Sequence, residues 1–314
     1  MKCLVSGATG FVGRSLCRQL VDRGHTLIAL SKSGTSLPTG MSTVAIDLSH
    51  SLPTPEMLEG VDVVFHLAAI AHQRAESAAY EALNHRAALA FARACLNAGV
   101  KRFVFISSVK AMGDAPAGSG ERTEQDCTLP TDPYGLSKWQ AEQSLRAEFA
   151  FGPMSVVILR PPLVYGASVK GNLAKLASAI RLGLPRPPDL GGRSMIAVDD
   201  LTAVMCVLVS APLTNLQTWI VTDGQSYSTR KVYDALRYAM GKSLGKLWMP
   251  QPIWRFLASA IDTVTGAERG ETFNKLFGTE LYSNRAIVEA ISWQPNISLE
   301  QVAEDMVQTR RVVR

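Results

Sequence analysis

Short runs of β-branched and aromatic residues alternate with longer stretches of helical period over the first 160 residues, the pattern of a parallel sheet covered on both faces. Strands are predicted at Cys3–Ser6, Thr26–Leu30, Thr43–Ile46, Val61–Leu67, Arg102–Ser107 and Ser155–Leu159, most of them near-continuous apolar runs. Helices are predicted at Phe11–Arg23, Ala75–Asn97 and Tyr134–Phe149. The last opens after Thr131-Asp132-Pro133, a capping residue followed by a proline suited to a first turn. Beyond Gly166 the rhythm loosens, with the Pro-rich piece Leu184-Pro185-Arg186-Pro187-Pro188 and a Trp- and Pro-rich segment, Leu247–Thr265. Arg255 and Asp262 interrupt that segment, so it is expected to pack into the protein rather than lie on a membrane surface. The expected fold is α/β, a doubly wound parallel sheet over residues 1–166 with a smaller C-terminal lobe over most of 167–314, the chain crossing back to the sheet.

A length of 314 residues is ample for such a core, and 47% hydrophobic with 19% charged residues is ordinary for a folded protein. The net charge, 32 − 27 = +5, suits an anionic small molecule and is too diffuse for a nucleic-acid surface. Cys3, Cys17, Cys95, Cys127 and Cys206 are widely spaced and odd in number, which indicates neither a disulfide framework nor a zinc site. The start of the chain runs straight into an apolar strand, and no apolar stretch is long enough to span a bilayer, so a cytoplasmic location is expected.

Directly after the first predicted strand stands Gly7-Ala8-Thr9-Gly10-Phe11-Val12-Gly13, three glycines leading into a helix. The first suits a tight turn, the second lets the backbone approach a pyrophosphate, and the third lets the helix pack on the sheet with its N–H groups facing the anion. This is the fingerprint of a Rossmann-type dinucleotide site. An acid about 20 residues further on would hold the adenosine ribose of NAD. Here that stretch reads Leu30-Ser31-Lys32-Ser33. With no carboxylate to repel a 2′-phosphate, and with Ser31 and Lys32 to hold one, NADP(H) is the expected cofactor. NAD(H) is the alternative if Lys32 is simply a solvated loop lysine. Asp47 is placed either to contact adenine or to cap the turn that follows it.

Tyr134-Gly135-Leu136-Ser137-Lys138 sets a tyrosine and a lysine four apart, on one helix face. A phenol of pKa near 10 is a weak acid–base catalyst at neutral pH. An ammonium about 4 Å away offers roughly 4 kcal/mol, about three pKa units at most, and is expected to bring the tyrosine toward operating pH. Ser107-Ser108 lies 26 residues upstream, at the end of a predicted strand.

The glycine pattern, Ser108, and Tyr134 with Lys138 resemble the extended short-chain dehydrogenase/reductase superfamily, and within it the nucleotide-sugar epimerase, dehydratase and 4-ketoreductase group. The resemblance runs from Met1 to about Pro295 and includes Phe65-His66-Leu67-Ala68-Ala69, Asn84 and Arg160-Pro161-Pro162-Leu163-Val164-Tyr165-Gly166. It implies that Ser108 hydrogen-bonds the reacting sugar oxygen, Tyr134 passes the proton, Lys138 also holds the nicotinamide ribose, and Asn84 supports a relay water. Ser108 is preferred to Ser107 because the family's catalytic Ser or Thr lies five residues before a glycine, here Gly113. The implied cofactor site comprises Gly7, Thr9, Gly10, Phe11, Val12, Gly13, Ser31, Lys32, Asp47, Leu48, Leu67, Ala68, Ala69, Ile106 and Pro161, with Tyr134 and Lys138. His66 is expected beside the nicotinamide through its backbone; His25, His50, His72 and His85 have no metal-ligand spacing, and no metal is expected.

The resemblance places a sugar nucleotide over the C-terminal strand ends, between the sheet and the smaller substrate lobe. Ser107, Ser108 and Lys110 belong to its sugar end. Asn172 and Leu173, at a helix N-terminus, and Arg193, in Gly191-Gly192-Arg193-Ser194, match positions that hold the diphosphate and nucleoside. A second phosphate-binding arginine is usual, and here only Lys275 or, less well placed, Arg269 stands near that position.

Dehydrating relatives carry an Asp-Glu pair after the catalytic Ser or Thr, whereas this chain has Val109-Lys110, which leaves hydride transfer at carbon 4. Ser107-Ser108-Val109-Lys110, Gly135-Leu136-Ser137-Lys138-Trp139 and Val169-Lys170-Gly171-Asn172 look most like bacterial reductases of UDP-4-keto-6-deoxy-N-acetylhexosamines. The expected activity is therefore NADPH-dependent 4-ketoreduction in surface-polysaccharide precursor synthesis. The alternatives are a 4-epimerase holding NAD and a non-catalytic NADP-binding sensor, the latter opposed by the presence of both Tyr134 and Lys138. The resemblance also implies a homodimer through the helices of Asn84 and Tyr134. The stripe Ala87, Phe91, Ala94 and Cys95 fits that interface, and fits burial against the chain's own sheet equally well.

Overall fold

The computed structural model describes residues 1–71, 75–115, 120–169, 171–244, 249–266 and 268–307; His72, Lys170 and the first two residues of the Leu247–Thr265 segment lie outside the described residues. The chain divides into two compact units, one made of Met1–Pro162, Val198–Val221 and Ser283–Gln294, the other of Leu163–Ala197, Thr222–Tyr282 and Pro295–Arg314.

The first unit opens with β1 (Lys2–Ser6), α1 (Phe11–Asp22), β2 (Thr26–Ser31), β3 (Val44–Ala45), α2 (Pro55–Leu58) and β4 (Val63–His66). A long helix follows as α3 (Ser77–Tyr80), a π-helical stretch Glu81–Ala87 and α4 (Ala88–Asn97). Then come β5 (Arg102–Ile106), a 3₁₀ turn Val109–Met112, α5 (Pro133–Phe149) and β6 (Ser155–Arg160). The chain leaves for β7 (Leu163–Tyr165), α6 (Asn172–Arg181) and β8 (Gly192–Ala197), and returns as α7 (Val198–Val207) and β9 (Leu216–Ile220). It leaves again for β10 (Ser226–Tyr227), α8 (Thr229–Ala239), α9 (Gln251–Thr265), α10 (Glu271–Phe277) and β11 (Thr279–Glu280). α11 (Arg285–Ile291) rejoins the first unit, and α12 (Leu299–Val307) belongs to the second.

The large sheet has the order β3-β2-β1-β4-β5-β6-β9, with every neighbouring pair parallel. The direction of winding reverses between β1 and β4, and in such sheets ligands bind beyond the carboxyl ends of the strands at that reversal. Val64, Phe103, Phe105, Val156 and Ile158 face Ala88, Phe91, Cys95, Ala141, Leu145 and Phe149 in one core. The helix stripe that fits a dimer interface is thus used within the chain: Phe91 and Cys95 are fully buried. The seventh strand, β9, has no counterpart among the predicted strands; its pattern Leu-Gln-Thr-Trp-Ile is half polar, as befits a sheet edge.

In the second unit β8 pairs antiparallel with β10 and parallel with β7 and β11. Its core joins Tyr165, Met195, Tyr227, Tyr233, Leu236 and Leu299. The Trp- and Pro-rich segment packs by one stripe only, where Trp254, Ala258 and Asp262 are buried, while Ile253, Phe256, Leu257, Ile261 and Val264 remain exposed. Asp262 tolerates burial because it accepts the N–H groups of Gly270 at 2.8 Å and Thr272 at 2.9 Å. No described helix is long and apolar enough to cross a membrane.

Candidate active site

The turn after β1 is shaped by close backbone approach. Gly7 has φ +71°, and a Cβ there would lie 2.8 Å from the Ala68 nitrogen and 2.9 Å from the Leu67 carbonyl carbon. A Cβ on Gly13 would lie 2.2 Å from the Gly7 oxygen. Gly10 precedes α1 without a capping side chain, and the first turn of α1 carries no acid. The N–H groups of Phe11, Val12 and Gly13 lack the i−4 partners an inner helical turn would give them, and the first turn holds no carboxylate to compete with a bound anion. Gly7, Thr9, Gly10, Phe11, Val12 and Gly13, with Leu67 and Ala68 against the turn, therefore fit the pyrophosphate of a dinucleotide.

At the end of β2 the side chains expected to hold a 2′-phosphate already have partners. Ser31 is buried, bonded to Thr43 at 2.7 Å and to the Gly34 N–H at 3.0 Å. The exposed Lys32 ammonium lies 2.9 Å from Asp47. Asp47 caps its own turn, accepting the Ser49 hydroxyl at 2.6 Å and N–H at 3.1 Å, and those bonds together with Lys32 hold its carboxyl well below the usual range. Leu48 beside it is buried.

His66 ends β4 fully buried, its Nδ1 2.8 Å from Ser6 Oγ and its ring stacked on Phe103 and Phe105. Burial, helped by nearby Lys138, lowers its pKa to about 3, so it is neutral and no base for catalysis near pH 7. Asn84 lies inside the π-helical stretch, a distortion that changes where a side chain points and that recurs at functional sites. Its Oδ1 accepts the Ile70 N–H at 2.9 Å, and its Nδ2 donates to the Ile70 carbonyl at 3.0 Å and to Ser137 Oγ at 3.1 Å. This amide clamps the loop after β4 to the helix of Tyr134.

Asp132 caps α5, accepting the Gly135 N–H at 2.8 Å, and Pro133 stands in its first turn. Half-buried Tyr134 is thereby presented beside Ser108, whose hydroxyl accepts the Lys110 N–H at 3.2 Å. Lys138 is buried, donates to the Ile106 carbonyl at 2.8 Å and lies 4.5 Å from the Phe105 ring centre. Burial pushes the Tyr134 phenol up to about 12 against the pull of Ser108, and pulls Lys138 down to about 7 against the support of Glu142. The expected lowering of the tyrosine by the lysine is thus reversed. The ammonium is directed at the Ile106 carbonyl, and desolvation dominates at the phenol.

Ser107, expected at the sugar end, turns into the protein and donates to Glu142 at 2.5 Å. Glu142 is fully buried and is also met by Arg160 at 2.6 Å and Arg146 at 3.0 Å. Reading the sequence for motifs missed this acid. Its signal was position: eight residues after Tyr134 and four after Lys138, on the face where α5 meets the sheet. Pro161, just after β6, is buried and accepts the Val109 N–H at 3.2 Å.

The remaining expected residues belong to the second unit. Asn172 opens α6, and Leu173 beside it is buried. Arg193 meets Glu280 at 3.1 Å and the Asn274 carbonyl at 3.0 Å, which brings it to the segment of Lys275, itself paired with Glu271. A cavity of about 810 Å³ in this unit, lined by Arg186, Arg230, Lys231 and Tyr238 among others, contains none of Asn172, Leu173, Arg193 or Lys275.

A Rossmann-type sheet with a glycine cradle, and Ser108 after β5 beside Tyr134 and Lys138 of α5, define a dinucleotide-dependent enzyme. The NAD dependent epimerase/dehydratase family matches residues 3–219, and the chain belongs to that family. It is similar to UDP-glucose 4-epimerase of Vibrio cholerae, 29% identical over 307 residues, 95% of this chain and 92% of that protein. It is also similar to a 4-hydroxy-2-methyl-3-oxo-4-farnesyl-3,4-dihydroquinoline-1-oxide ketoreductase of Stigmatella aurantiaca, 28% identical over 77% of this chain and 74% of that one. Among solved structures, UDP-glucuronic acid 4-epimerase from Bacillus cereus in complex with NAD shares the fold, with TM-score 0.76, 20% identity and coverage of 98% and 96%.

Proposed function

We propose that the protein interconverts UDP-sugars at carbon 4, as an epimerase that holds NAD. The observation that carries this reading is the likeness to the Vibrio cholerae 4-epimerase along nearly the whole of both chains. The pairing of Lys32 with Asp47 supports NAD, because the cation expected to favour a 2′-phosphate is already matched by an anion. Bound NAD would supply hydride acceptance and return. The protein's own part is to hold the 4-oxygen between Ser108 and Tyr134, to move its proton through the Tyr134 phenol, and to keep Lys138 charged below them. Val109-Lys110 offers no acid–base pair for dehydration.

A second reading, NADPH-dependent 4-ketoreduction, is supported by the likeness to the ketoreductase of Stigmatella aurantiaca. One assay separates the two. Purified protein is given UDP-glucose or UDP-N-acetylglucosamine, and separately a UDP-4-keto-6-deoxy sugar with NADPH or NADH at 340 nm. Interconversion at carbon 4 with no net change at 340 nm, and NAD released on denaturation, is the expected result. Stoichiometric loss of NADPH establishes the reductase instead, and the absence of both results overturns both readings.

A further inference from the structure

We propose that Glu142 is a positioning residue for proton transfer: it holds the strand end carrying Ser108 against the helix carrying Tyr134 and Lys138, and sets a fixed negative charge one turn from the ammonium. The inference deepens the function proposed above and rests on it for the role of the trio. An isolated carboxylate with no exposure would be strongly unfavourable. Glu142 instead accepts Ser107 Oγ at 2.5 Å, Arg160 Nε at 3.0 Å and Nη2 at 2.6 Å, and Arg146 Nη2 at 3.0 Å. Burial works to raise this carboxyl, but the two guanidinium groups and the Ser107 hydroxyl outweigh it and keep the group ionised.

Three elements meet at this one side chain: Ser107 follows β5, Arg160 ends β6, and Glu142 belongs to α5. Ser107 is bonded to Ser108 through the peptide, so any slack at the Glu142 oxygen passes to the hydroxyl beside Tyr134. A contact serving packing alone needs no charge, since well-packed apolar residues replace buried ion pairs without loss. Among the described residues, the charged and titratable groups coupled to Lys138 are Glu142 on its own helix and His66 on β4, with Arg146 and Arg160 facing Glu142, and the Cys127 thiol meeting Arg160. His66 is neutral above about pH 3, which leaves Glu142 as the anion that supports the ammonium.

Glu142→Gln removes the charge and keeps an acceptor, whereas Ser107→Ala cuts the link to the strand end and keeps the ion pair. The measurements are kcat and KM, the pH profile of kcat, and the pH dependence of NADH binding by fluorescence, which needs no sugar. Glu142→Gln should lower kcat at least ~10-fold, with KM and NADH affinity at about pH 5, where Lys138 is protonated in both proteins, within about twofold. It should also move the alkaline limb of both pH profiles down by about one unit, and Glu142→Asp should restore that limb. Ser107→Ala should lower kcat ~10-fold and leave the limb in place. A folded Glu142→Gln protein with near-normal kcat and an unmoved limb overturns the proposal, as does Ser107→Ala with wild-type kcat. If Glu142→Gln does not fold, Ser107→Ala decides. If the wild type turns over no UDP-sugar, the proposed function fails, while the NADH-binding limb still judges Glu142.

Discussion

The Lys138 ammonium donates to the carbonyl of Ile106 at 2.8 Å, tying α5 to the last residue of β5 through a charge that is almost completely buried. Ser108 stands two residues beyond that carbonyl, and Tyr134 one helical turn before that ammonium. The trio is therefore one rigid corner of the first unit, where a strand end and a helix start are fastened together. Asn84 fastens the same helix from its other side through Ser137.

Because Tyr134 lies beside Ser108 and takes no part in the glycine turn, its hydroxyl can be removed without disturbing the cradle. Tyr134→Phe should lower turnover by about 10²–10⁴-fold, the usual contribution of a positioned acid–base group. NADH affinity, followed by fluorescence titration, should stay within about twofold. Near-normal turnover removes Tyr134 from the proton path.

Burial of Lys138 makes stability depend on pH in a defined sense. The unfolded lysine keeps its proton to about 10.5, the native one releases it near 7, so the unfolded chain binds more protons above pH 7 and stability rises with pH there. The slope contributed is up to about 1.4 kcal/mol per pH unit. Cys3 and Cys17, whose burial raises their thiols to about 11 and about 12, act in the opposite sense above about pH 9, so the window to measure is pH 7 to 8.5. Lys138→Met should flatten the rise in urea midpoint across that window; an unchanged slope means that another group sets it.

His66 adds to the loss of stability on the acid side, together with His25 and His85, whose pKa values burial also lowers. Its native pKa of about 3 lies below the unfolded value of 6.5, so protonation favours the unfolded chain as pH falls from 6.5 toward 3. The loss over that range is about 4 kcal/mol. His66→Phe keeps an aromatic ring against Phe103 and Phe105 while removing the titration. Its unfolding free energy should fall less between pH 6.5 and 4 than that of the wild type, and an equal fall would assign the acid sensitivity to another group.

The sheet was legible because buried parallel strands are apolar throughout and the glycine spacing marks the first turn. Six strands and the helices bearing Phe91 and Tyr134 follow from those signals. β9 was not, because an edge strand such as Leu216–Ile220 needs only one apolar face. The identities of Ser108, Tyr134 and Lys138 were legible as spacing, but their electrostatics were not, since a pairwise estimate in partly polar surroundings omits desolvation. Ser107 and Glu142 show the same limit from the other side. A serine next to a candidate catalytic serine has nothing in its sequence to say that it faces inward. An acid on a helix reads as solvated until Arg160, 18 residues on, is found against it.

Gly13 tests the cradle most directly. A methyl group there meets the Gly7 oxygen at 2.2 Å and the Ala8 Cα at 2.9 Å, and both are backbone atoms that cannot swing aside as a flexible side chain can. Gly13→Ala must therefore push α1 away from the turn, at an overpacking cost of about 1–3 kcal/mol. The displacement falls on the N–H groups proposed to receive the pyrophosphate, so NADH affinity should drop about 10–100-fold. Gly24→Ala is the matched control, because Gly24 has φ +77° with nothing within 4 Å of an added Cβ. Strain alone should cost that variant about 1 kcal/mol of stability and leave NADH affinity unchanged. Equal losses of affinity in both variants would show that general destabilisation, and not the geometry of the cradle, weakens binding.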